Sequence, residues 1–565
     1  MRILSKKNLI LLFLVKFFFS QELFAQIPST GDLQDEKMRL QALLLDSTNF
    51  SFVNRPSTTH LDNRNSNINY SDNHNWVLRN LHPSEFHPFS GVRIGINPLF
   101  LQTTINSRFP LGENNAAAWY GRGLNTEFSV GFYIASEYFT LNFSPHIIHH
   151  QNSDFLYPRF ISTRDGEVRY LAEGIGNIID APFRFGPDPF TTFDLGNSSV
   201  KFHYKSLETG ISSEPLIWGP AVNYPLIMSN NAPGINHYFI GSRKPVEIPY
   251  LGNIQFKWIF GYPEESGYFD GAAAGQTRFT NAANFAFTPS FFENLTIGIT
   301  RVHHIFEEDG FDINNLLLMF DPLRRSSLVR RQGADGTRQR RNQIASAYFH
   351  LLLKDANAEI YAEFFREDHS FDIRDLFIQP NHNSAYTFGF QKIFHPALVD
   401  FVRTNLEFTN LTYSQLNQVR PQAFFYNHSQ IRQGHTNRGQ VLGAAIGPGS
   451  NSQLLKLDAY KNDFKVGTLI QRVGRNDSFH FDRNPPEISP SQNFGDYFRH
   501  WVDLNVGLNF MYGPGPYYLN AGVTWTKSFN YGRFNYGDLE GINQINYERE
   551  DRTNVQLQVG LRYVF

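Results

Sequence analysis

The sequence predicts an all-β fold, a closed antiparallel transmembrane barrel of the outer-membrane type with about 16 to 18 strands. Three observations lead to this prediction. Many short segments alternate between apolar and polar side chains, one such alternation runs to the last residue, and the aromatic content is 15%. Because successive side chains of a strand point to opposite faces, this alternation gives one face to hydrocarbon and the other to water.

Residues 1–25 are expected to be a cleaved secretory signal peptide. Basic Arg2 and Lys7 precede the apolar run 8–19, and the small Ala25 offers a cleavage point. The apolar run is shorter than the roughly 20 residues that a membrane-spanning helix needs. We therefore expect export of the chain, with the bacterial outer membrane as its destination.

Residues 26–88 show no barrel alternation and are expected to form a periplasmic segment that is partly helical. Asp32 is a candidate cap for a short helix, whose apolar side would comprise Leu33, Met38, Leu40 and Leu44. The stretch 48–75 is rich in Asn, Ser, Asp and His, which fits either an irregular segment tucked under the barrel or a disordered tether.

Residues 89–565 are predicted to form the barrel, with long loops and segments that plug the lumen. Roughly 14 to 16 segments carry the two-residue period of a strand. In chain order they are 92–96, 128–134, 139–143, 199–207, 254–262, 295–303, 344–353, 358–366, 385–393, 401–412, 453–460, 464–472, 504–510, 519–525 and 555–565. The sequence Gly513-Pro514-Gly515-Pro516 marks a turn between two of them. Closing the sheet removes its exposed edges, and single-chain bacterial barrels have even strand numbers, which favours 16 to 18.

The carboxy-terminal segment carries the clearest alternation. One face of this strand holds Val555, Leu557, Val559, Leu561, Tyr563 and Phe565. The other face holds Gln556, Gln558, Gly560 and Arg562. A last strand that ends on an aromatic residue resembles the strand by which outer-membrane barrels are recognised for assembly. We therefore expect the barrel assembly machinery and outer-membrane lipid, including lipopolysaccharide, among the partners.

Composition excludes several classes of function. The chain has no cysteine, which excludes disulfides, thiolate zinc sites and cysteine nucleophiles. Without residues 1–25 it carries 46 basic and 51 acidic residues, so binding of nucleic acid through bulk charge is not expected. We find no nucleophile elbow, HExxH motif or P-loop, and we expect no enzyme activity, catalytic residue or cofactor. His149-His150 and His303-His304 are neighbours that point to opposite faces of a strand, so no metal site is expected.

Two regions resemble a known family. The first runs from Ile211-Ser212-Ser213-Glu214 through Ile217-Trp218-Gly219-Pro220 and Met228-Ser229-Asn230-Asn231-Ala232-Pro233-Gly234 to Ser242-Arg243-Lys244-Pro245 and Gly252-Asn253-Ile254. The second comprises Gly434-His435-Thr436-Asn437-Arg438-Gly439-Gln440 and Gly447-Pro448-Gly449-Ser450-Asn451-Ser452. Together they resemble the capsule assembly protein Wzi family, in particular its Bacteroidetes members. The resemblance implies an outer-membrane barrel that binds capsular polysaccharide at the cell surface, and a helical bundle at the periplasmic mouth, of which the sequence predicts one helix.

The first region is a candidate glycan site. Trp218 could stack on a pyranose ring, while Asn230 and Asn231 could hydrogen-bond its hydroxyls. The alternative is that this Gly- and Pro-rich segment is a folded plug whose Asn side chains cap turns. Both interpretations hold together if the plug itself grips a glycan.

A second candidate site is the arginine-rich segment 324–341. Its arginines are Arg324, Arg325, Arg330, Arg331, Arg338, Arg340 and Arg341. Guanidinium groups pair bidentately with carboxylates and phosphates, so an acidic polysaccharide or the phosphates of lipopolysaccharide would be natural partners. The alternative is a solvated loop that is neutralised locally, for instance by Glu307, Glu308 and Asp309.

The resemblance adds Arg243, His435, Asn437 and Arg438 as candidate glycan contacts, although Arg438 and His435 could equally tether a loop to the barrel wall. The function predicted is lectin-like: the barrel retains or assembles capsular polysaccharide or exopolysaccharide at the cell surface. The alternatives are a porin or specific glycan channel, and a barrel hydrolase or lipid-modifying enzyme. A lumen blocked by folded segments would favour the lectin over the channel.

Overall fold

The structure, a computed structural model, describes residues 33–44, 53–56, 84–156, 160–164, 167–171, 179–269, 274–309, 316–317, 319, 341–367, 373–414, 420, 422, 424–478, 500–533 and 551–565. It contains two α-helices in these ranges, α1 (Leu33–Leu44) and α2 (Ile373–Ile378). Short 3-10 turns span Glu307–Asp309, Lys354–Ala356 and Tyr531–Arg533. None of the described helices combines the length and the apolar character that crossing a bilayer requires.

The described strands fall in the following order. The first fourteen are β1 (Asn54–Arg55), β2 (Glu85–Phe89), β3 (Val92–Asn106), β4 (Gly123–Ala135), β5 (Phe139–Phe143), β6 (His146–His150), β7 (Phe160–Arg164), β8 (Glu167–Leu171), β9 (Phe190–Asp194), β10 (Ser199–Tyr204), β11 (Leu207–Ser212), β12 (Ile217–Trp218), β13 (Asn236–Ser242) and β14 (Val246–Ile248). The second fourteen are β15 (Gly252–Tyr262), β16 (Arg278–Pro289), β17 (Leu295–Phe306), β18 (Arg341–Leu353), β19 (Ala358–Glu367), β20 (Ser384–Phe394), β21 (Phe401–Asn410), β22 (Thr436–Asn437), β23 (Gln440–Val441), β24 (Asn451–Lys461), β25 (Phe464–Gly474), β26 (Val502–Tyr512), β27 (Tyr517–Phe529) and β28 (Arg552–Tyr563).

The main sheet closes on itself. The last strand, β28, pairs antiparallel with β3, from Gln556 opposite Asn106 to Tyr563 opposite Leu99. Both β5 and β6 pair with β4 and follow each other along it, so they form one wall strand, and β10 and β9 continue each other beside them. The described residues thus build a closed antiparallel barrel of 18 strands, which confirms the predicted fold class.

The two ends of the barrel differ in their connections. At one end the links are short, such as the 513–516 turn between β26 and β27, where the sequence predicts it. At the other end the links are long, for example between β6 and β9 and between β21 and β24. In outer-membrane barrels short turns face the periplasm and long loops face outward, and we name the two ends accordingly.

The two faces of the wall follow the predicted alternation. On β28 the side chains of Leu557 and Val559 are exposed on the outside, while Asn554 and Gln556 are buried inside. The same pattern of exposed apolar and buried polar side chains recurs on β17, β25 and β26. The outer face therefore offers hydrocarbon-compatible side chains to a bilayer.

Three wall strands were not among the predicted segments: β11, β13 and β16. Strands β11 and β13 have only 6 and 7 residues, because the chain between them turns into the lumen. Phe239 of β13 is buried against that inner segment although its neighbours Tyr238 and Ile240 face outward, so apolar residues stand on both faces. In β16 the inner positions Ala282 and Ala286 are also small and apolar, since Ala282 packs in the same cluster and Ala286 packs with Val53 and Tyr348.

Helix α1 lies inside the barrel near the periplasmic end. Leu40 and Leu43 pack in one apolar cluster with residues of the wall strands, among them Leu352, Phe401 and Tyr460. The buried Arg39 Nε donates to Glu359 Oε1 on β19 at 2.7 Å. The predicted cap Asp32, and all of the stretch 48–75 except 53–56, lie outside the described residues.

Candidate functional site

Two inner segments form a plug in the outer half of the lumen. The first, residues 213–235, leaves the wall after β11 and returns at β13, and the second, residues 424–450, connects β21 to β24. They are joined by hydrogen bonds, including Ser229 N to Leu442 O at 2.8 Å and Asn231 Nδ2 to Val441 O at 2.9 Å. We call these two segments the plug.

Trp218 lies at the centre of the plug. It is fully buried and packs in the largest apolar cluster with Tyr224, Leu226 and Phe365 among others. Its short strand β12 pairs with β1, which places Asn54 opposite Trp218. The next residue, Gly219, has φ +88°, a conformation that suits glycine. As described, this tryptophan offers no free face to a sugar, and the geometry fits the alternative in which the segment is a folded plug.

Carboxylates of the wall hold the plug through its backbone. Glu407 on β21 accepts the N–H groups of Val222 at 3.0 Å and Tyr224 at 2.7 Å. Glu363 Oε2 on β19 accepts the N–H of Leu226 at 3.0 Å. These hydrogen bonds satisfy backbone groups that could not reach water. The plug is therefore fixed to the wall rather than lying loosely in the lumen.

Glu367 on β19 serves the second plug segment in the same way. Its Oε2 accepts the N–H of Tyr426 at 2.9 Å. Together with Glu359, which binds Arg39 of α1, the strand presents three buried carboxylates at positions 359, 363 and 367. Their even spacing along a strand points all three into the lumen, so a single strand contacts α1 and both plug segments.

His435 connects the plug to the wall. His304 Nε2 on β17 lies 2.8 Å from His435 Nδ1, and His435 Nε2 lies 2.7 Å from the carbonyl oxygen of Ile227. Since a carbonyl only accepts, His435 Nε2 carries the proton and its Nδ1 accepts from His304. Burial, together with the charge of Arg278, lowers the pKa of His435 to about 4, because a buried imidazolium would lose its hydration. This histidine is neutral at pH 7.

Arg438 closes a break in the outer half of the wall. Strands β11 and β13 end at mid-height, so β9 pairs only with β6 and has no strand partner on its other edge among the described residues. Arg438 spans this break, with Nη1 2.7 Å from Asp194 Oδ2 and Nε 2.6 Å from Glu264 Oε2. Although burial opposes the charge, these two carboxylates raise the pKa of Arg438 above its ordinary value.

The other predicted site residues are distributed unevenly. Asn437 is buried, accepts the N–H of Glu264 at 2.8 Å and donates to the carbonyl of Pro233 at 3.0 Å. Asn230 donates to the carbonyl of Asn114 at 3.0 Å from an outer loop that folds inward. The structure thus brings six of the predicted residues into one plug, namely Trp218, Asn230, Asn231, His435, Asn437 and Arg438.

Arg243 does not lie with them. It follows β13 in a short periplasmic connection, where its N–H donates to the carbonyl of Ser206 at 2.8 Å. Arg324, Arg325, Arg330 and Arg331 lie outside the described residues, so the arginine-rich segment remains a prediction.

Sequence reasoning missed the wall carboxylates. Glu359 and Glu363 lie four residues apart on one face of the predicted strand 358–366, and Glu367 follows that strand in the same phase. Glu407 lies within the predicted strand 401–412. Acidic residues that repeat on the polar face of barrel strands would have indicated an interior that binds something other than water. That signal could have located the contact surface of the plug, although not the segments that fill it.

Comparison with known proteins gives the family. The model of the capsule assembly protein Wzi family matches residues 102–488, which is more than half of the chain. The chain belongs to the capsule assembly protein Wzi family. No relative was found among curated proteins. The match confirms the resemblance seen in the plug segments, and it includes both of them.

Solved structures give the fold. The Wzi protein of Escherichia coli, described as an outer-membrane carbohydrate-binding β-barrel involved in group 1 capsule assembly, is similar at 12% identity, with 83% of this chain and 84% of that chain covered and a TM-score of 0.52. OprD of Pseudomonas aeruginosa has 8% identity, with 86% of this chain and 98% of that chain covered and a TM-score of 0.35. A BenF-like porin of Pseudomonas fluorescens has 9% identity, with 84% of this chain and 99% of that chain covered and a TM-score of 0.37.

Proposed function

We propose that this chain is a lectin-like protein of the bacterial outer membrane that retains or assembles capsular polysaccharide or exopolysaccharide at the cell surface. The observation that carries the proposal is the fixed plug: Glu363, Glu367 and Glu407 hold two folded segments across the outer half of the lumen. A lumen occupied in this way suits a binding surface better than a wide pore. Membership of the Wzi family supports the polysaccharide as ligand.

Binding is proposed to occur on the outer surface, and without turnover. The long connections leave the barrel at its outer end, and the one between β17 and β18 contains most of the arginine-rich segment 324–341. A repeating polymer meets many copies of the protein, so weak individual sites sum to firm retention. Guanidinium groups would favour an acidic polymer, since they pair bidentately with carboxylates.

The test is a pull-down of purified capsular polysaccharide with the detergent-solubilised protein. We expect the polymer to be retained at low salt, and the variant with Arg324, Arg325, Arg330 and Arg331 replaced by Gln to retain several-fold less. The difference should shrink as salt rises, because charges at an exposed surface are screened within about 8–10 Å at moderate ionic strength.

A matched control removes the same charge at the other end of the barrel. Lys205, Arg243, Lys244 and Lys354 all lie in short periplasmic connections, and their replacement by Gln should leave retention unchanged. Equal retention by both variants at low salt would remove the arginine-rich segment from the proposal. Failure of the wild-type protein to retain any polymer would contradict the proposed function itself.

The alternative function is a porin or specific glycan channel. It is favoured by a cavity that remains beside the plug. Conductance measured in planar bilayers distinguishes the two functions. A lectin with a fixed plug should give no sustained increases in ionic current of the size seen with porins, whereas a channel should give them.

A further inference from the structure

A cavity of about 380 Å³ lies in the lumen between the plug and the wall strands β3 and β4. This volume falls within the range of about 300–1,000 Å³ that is typical of sites for small molecules. We propose that the cavity binds a short, uncharged oligosaccharide. The inference rests on the proposed function for the saccharide class, and it adds a second site that is separate from the outer surface.

The position of the cavity separates it from the outer loops. Asn114–Ala117 and Asn230 line its outer end, and they are joined by Ala116 N to Asn230 O at 2.6 Å and Asn230 Nδ2 to Asn114 O at 3.0 Å. Leu33 of α1 and Tyr518, next to the 513–516 turn, line the periplasmic end. The cavity therefore lies on the periplasmic side of these two hydrogen bonds, and we infer that a ligand reaches it from the periplasmic end.

The lining is unusually rich in amide side chains. Eight of the 25 lining residues are Asn or Gln: Asn97, Gln102, Asn114, Asn115, Asn142, Asn197, Asn230 and Asn520. An amide offers both donors and an acceptor, and a sugar hydroxyl also does both. Five of these amides already donate through nitrogen within the protein. Among the described residues, the buried oxygens of Asn114 and Asn230 have no hydrogen-bond partner, so they are the acceptors that a sugar hydroxyl would meet.

Charge argues against an acidic ligand. The lining carboxylates are Glu36, Glu127 and Asp194, and each has a partner: Arg403 at 2.6 Å, His146 at 2.6 Å and Arg438 at 2.7 Å, respectively. Arg562 is the one Lys or Arg among the lining residues. Because the lining has no excess of positive charge, a polyanion would lose hydration without gaining a counter-charge. The expected ligand is uncharged, unlike the acidic polymer proposed for the outer surface.

Part of the lining is held in place before any ligand binds. Gln102 Nε2 donates to the Tyr120 hydroxyl at 2.9 Å, and that hydroxyl donates to Glu127 Oε2 at 3.3 Å. The second oxygen of Glu127 is 2.6 Å from His146 Nδ1. Since these groups are already ordered, binding would cost little further conformational entropy.

The experiment measures binding of three soluble probes to the purified full chain in detergent by isothermal titration calorimetry. The probes are maltotriose, N,N′,N″-triacetylchitotriose and trigalacturonate. We expect saturable binding of at least one neutral probe, and weaker binding of trigalacturonate. Gln102→Trp should fill the cavity and reduce the affinity for the neutral probe at least about tenfold, which corresponds to about 1.4 kcal/mol.

The matched control is Leu101→Trp, which introduces the same residue one position away. Leu101 is exposed on the lipid-facing side of β3. The control substitution should leave the affinity unchanged. A second variant, Asn520→Leu, keeps the number and branching of the side-chain heavy atoms and removes an amide, so it should weaken binding several-fold even if Gln102→Trp does not fold.

Three results would overturn the inference: no saturable binding of either neutral probe, equal losses in Leu101→Trp and Gln102→Trp, or tighter binding of trigalacturonate. The polymer pull-down is run on the same variants. If Gln102→Trp no longer binds the neutral probe but still retains the polymer in the pull-down, the two sites are separate as proposed. If the wild type retains polymer but binds no probe, the inference fails and the proposed function stands.

Discussion

His304 and His435 form a hydrogen bond of 2.8 Å between Nε2 of the wall residue and Nδ1 of the plug residue. While His435 is neutral, its Nδ1 accepts from His304, because its Nε2 already donates to Ile227 O. Protonation of His435 would put a charge into this buried site and oblige His304 to change its tautomer before the bond could form again. This pair therefore links the attachment of the plug to pH.

We predict that the outer part of the plug loosens in acid. Burial lowers the pKa of His435 to about 4, whereas the residue titrates near 6.5 when unfolded. The unfolded state therefore binds the proton more readily. The contribution to the free energy of unfolding is fully present above about pH 6.5 and falls by on the order of 3 kcal/mol between pH 6.5 and 4.

Hydrogen exchange of residues 433–441 at pH 7 and pH 4.5, corrected for the intrinsic rate, measures this effect. His435→Asn should remove most of the pH dependence. His149→Asn serves as the control, since His149 lies on an exposed part of β6. Equal protection of the segment at both pH values would refute the role given to the histidine pair.

The sequence predicted the wall far better than the lumen. Leu557 and Val559 face the lipid side, while Asn554 and Gln556 face the lumen. Because side chains alternate along a strand, the sequence of one strand is enough to show this pattern. By contrast, the position of Trp218 depends on residues 54 and 363, far away in the chain. A local sequence pattern does not show contacts between residues that are far apart in the chain. The sequence therefore left open whether this tryptophan binds sugar or fills a core.

The candidate site was predicted in part for the same reason. His435, Asn437 and Arg438 stood out because they belong to a polar segment that resembles a family, and they do lie together. Arg243 stood in a similar segment but follows a wall strand to the periplasmic end. The direction in which a short strand runs decides which end of the barrel a residue reaches, and the sequence alone did not reveal strands β11 and β13.

We predict that Arg438→Ala loosens the break in the wall. The substitution removes the ion pairs to Asp194 and Glu264 and leaves the buried Asp194 carboxylate without its counter-charge. Because Arg438 and Glu264 are partly exposed to solvent, we expect a modest loss of about 1–2 kcal/mol in local stability.

Limited proteolysis within 433–441 and 263–269 reports the loosening, and Arg432→Ala, which changes the same residue type in the same segment, is the control. If cleavage rates of Arg438→Ala and the wild type are the same, the arginine does not hold the two sides of the break together.

We predict that Trp218→Ala disrupts the plug but not the barrel. A fully buried tryptophan replaced by alanine costs about 3–5 kcal/mol through lost contacts and the cavity that remains. The wall is held by its own ladder of hydrogen bonds, so the protein should stay heat-modifiable on gels. Hydrogen exchange of residues 213–235 should rise, and Trp218→Phe should show a smaller rise. An unchanged exchange rate in Trp218→Ala would contradict the packing described.

We predict that Glu36 anchors α1 in the periplasmic mouth. Although burial alone would raise it, the positive charges of Lys465 and Arg403, each 2.6 Å away, hold the pKa of Glu36 well below its usual range. The carboxylate therefore stays ionised at neutral pH. Glu36→Gln weakens both ion pairs, and we expect α1 to lose about 1–3 kcal/mol of docking energy.

Hydrogen exchange of residues 33–44 should rise in a Glu36→Gln/Arg39→Gln double variant, since Arg39 is the other charged anchor of the helix. Asp355→Asn, at an exposed periplasmic turn, should leave the exchange of this helix as it is in the wild type. Equal protection of the helix in the double variant and the wild type would show that these ion pairs do not hold α1 in place.

The measurement that tests the central claim most directly is the distribution of polysaccharide between cells and medium when the chain is deleted. A barrel that retains polymer at the surface predicts that the deleted strain makes the same total amount but sheds most of it into the medium. Re-expression of the wild-type chain should return the polymer to the cells. Polymer that remains attached to the deleted strain in normal amounts would contradict the account.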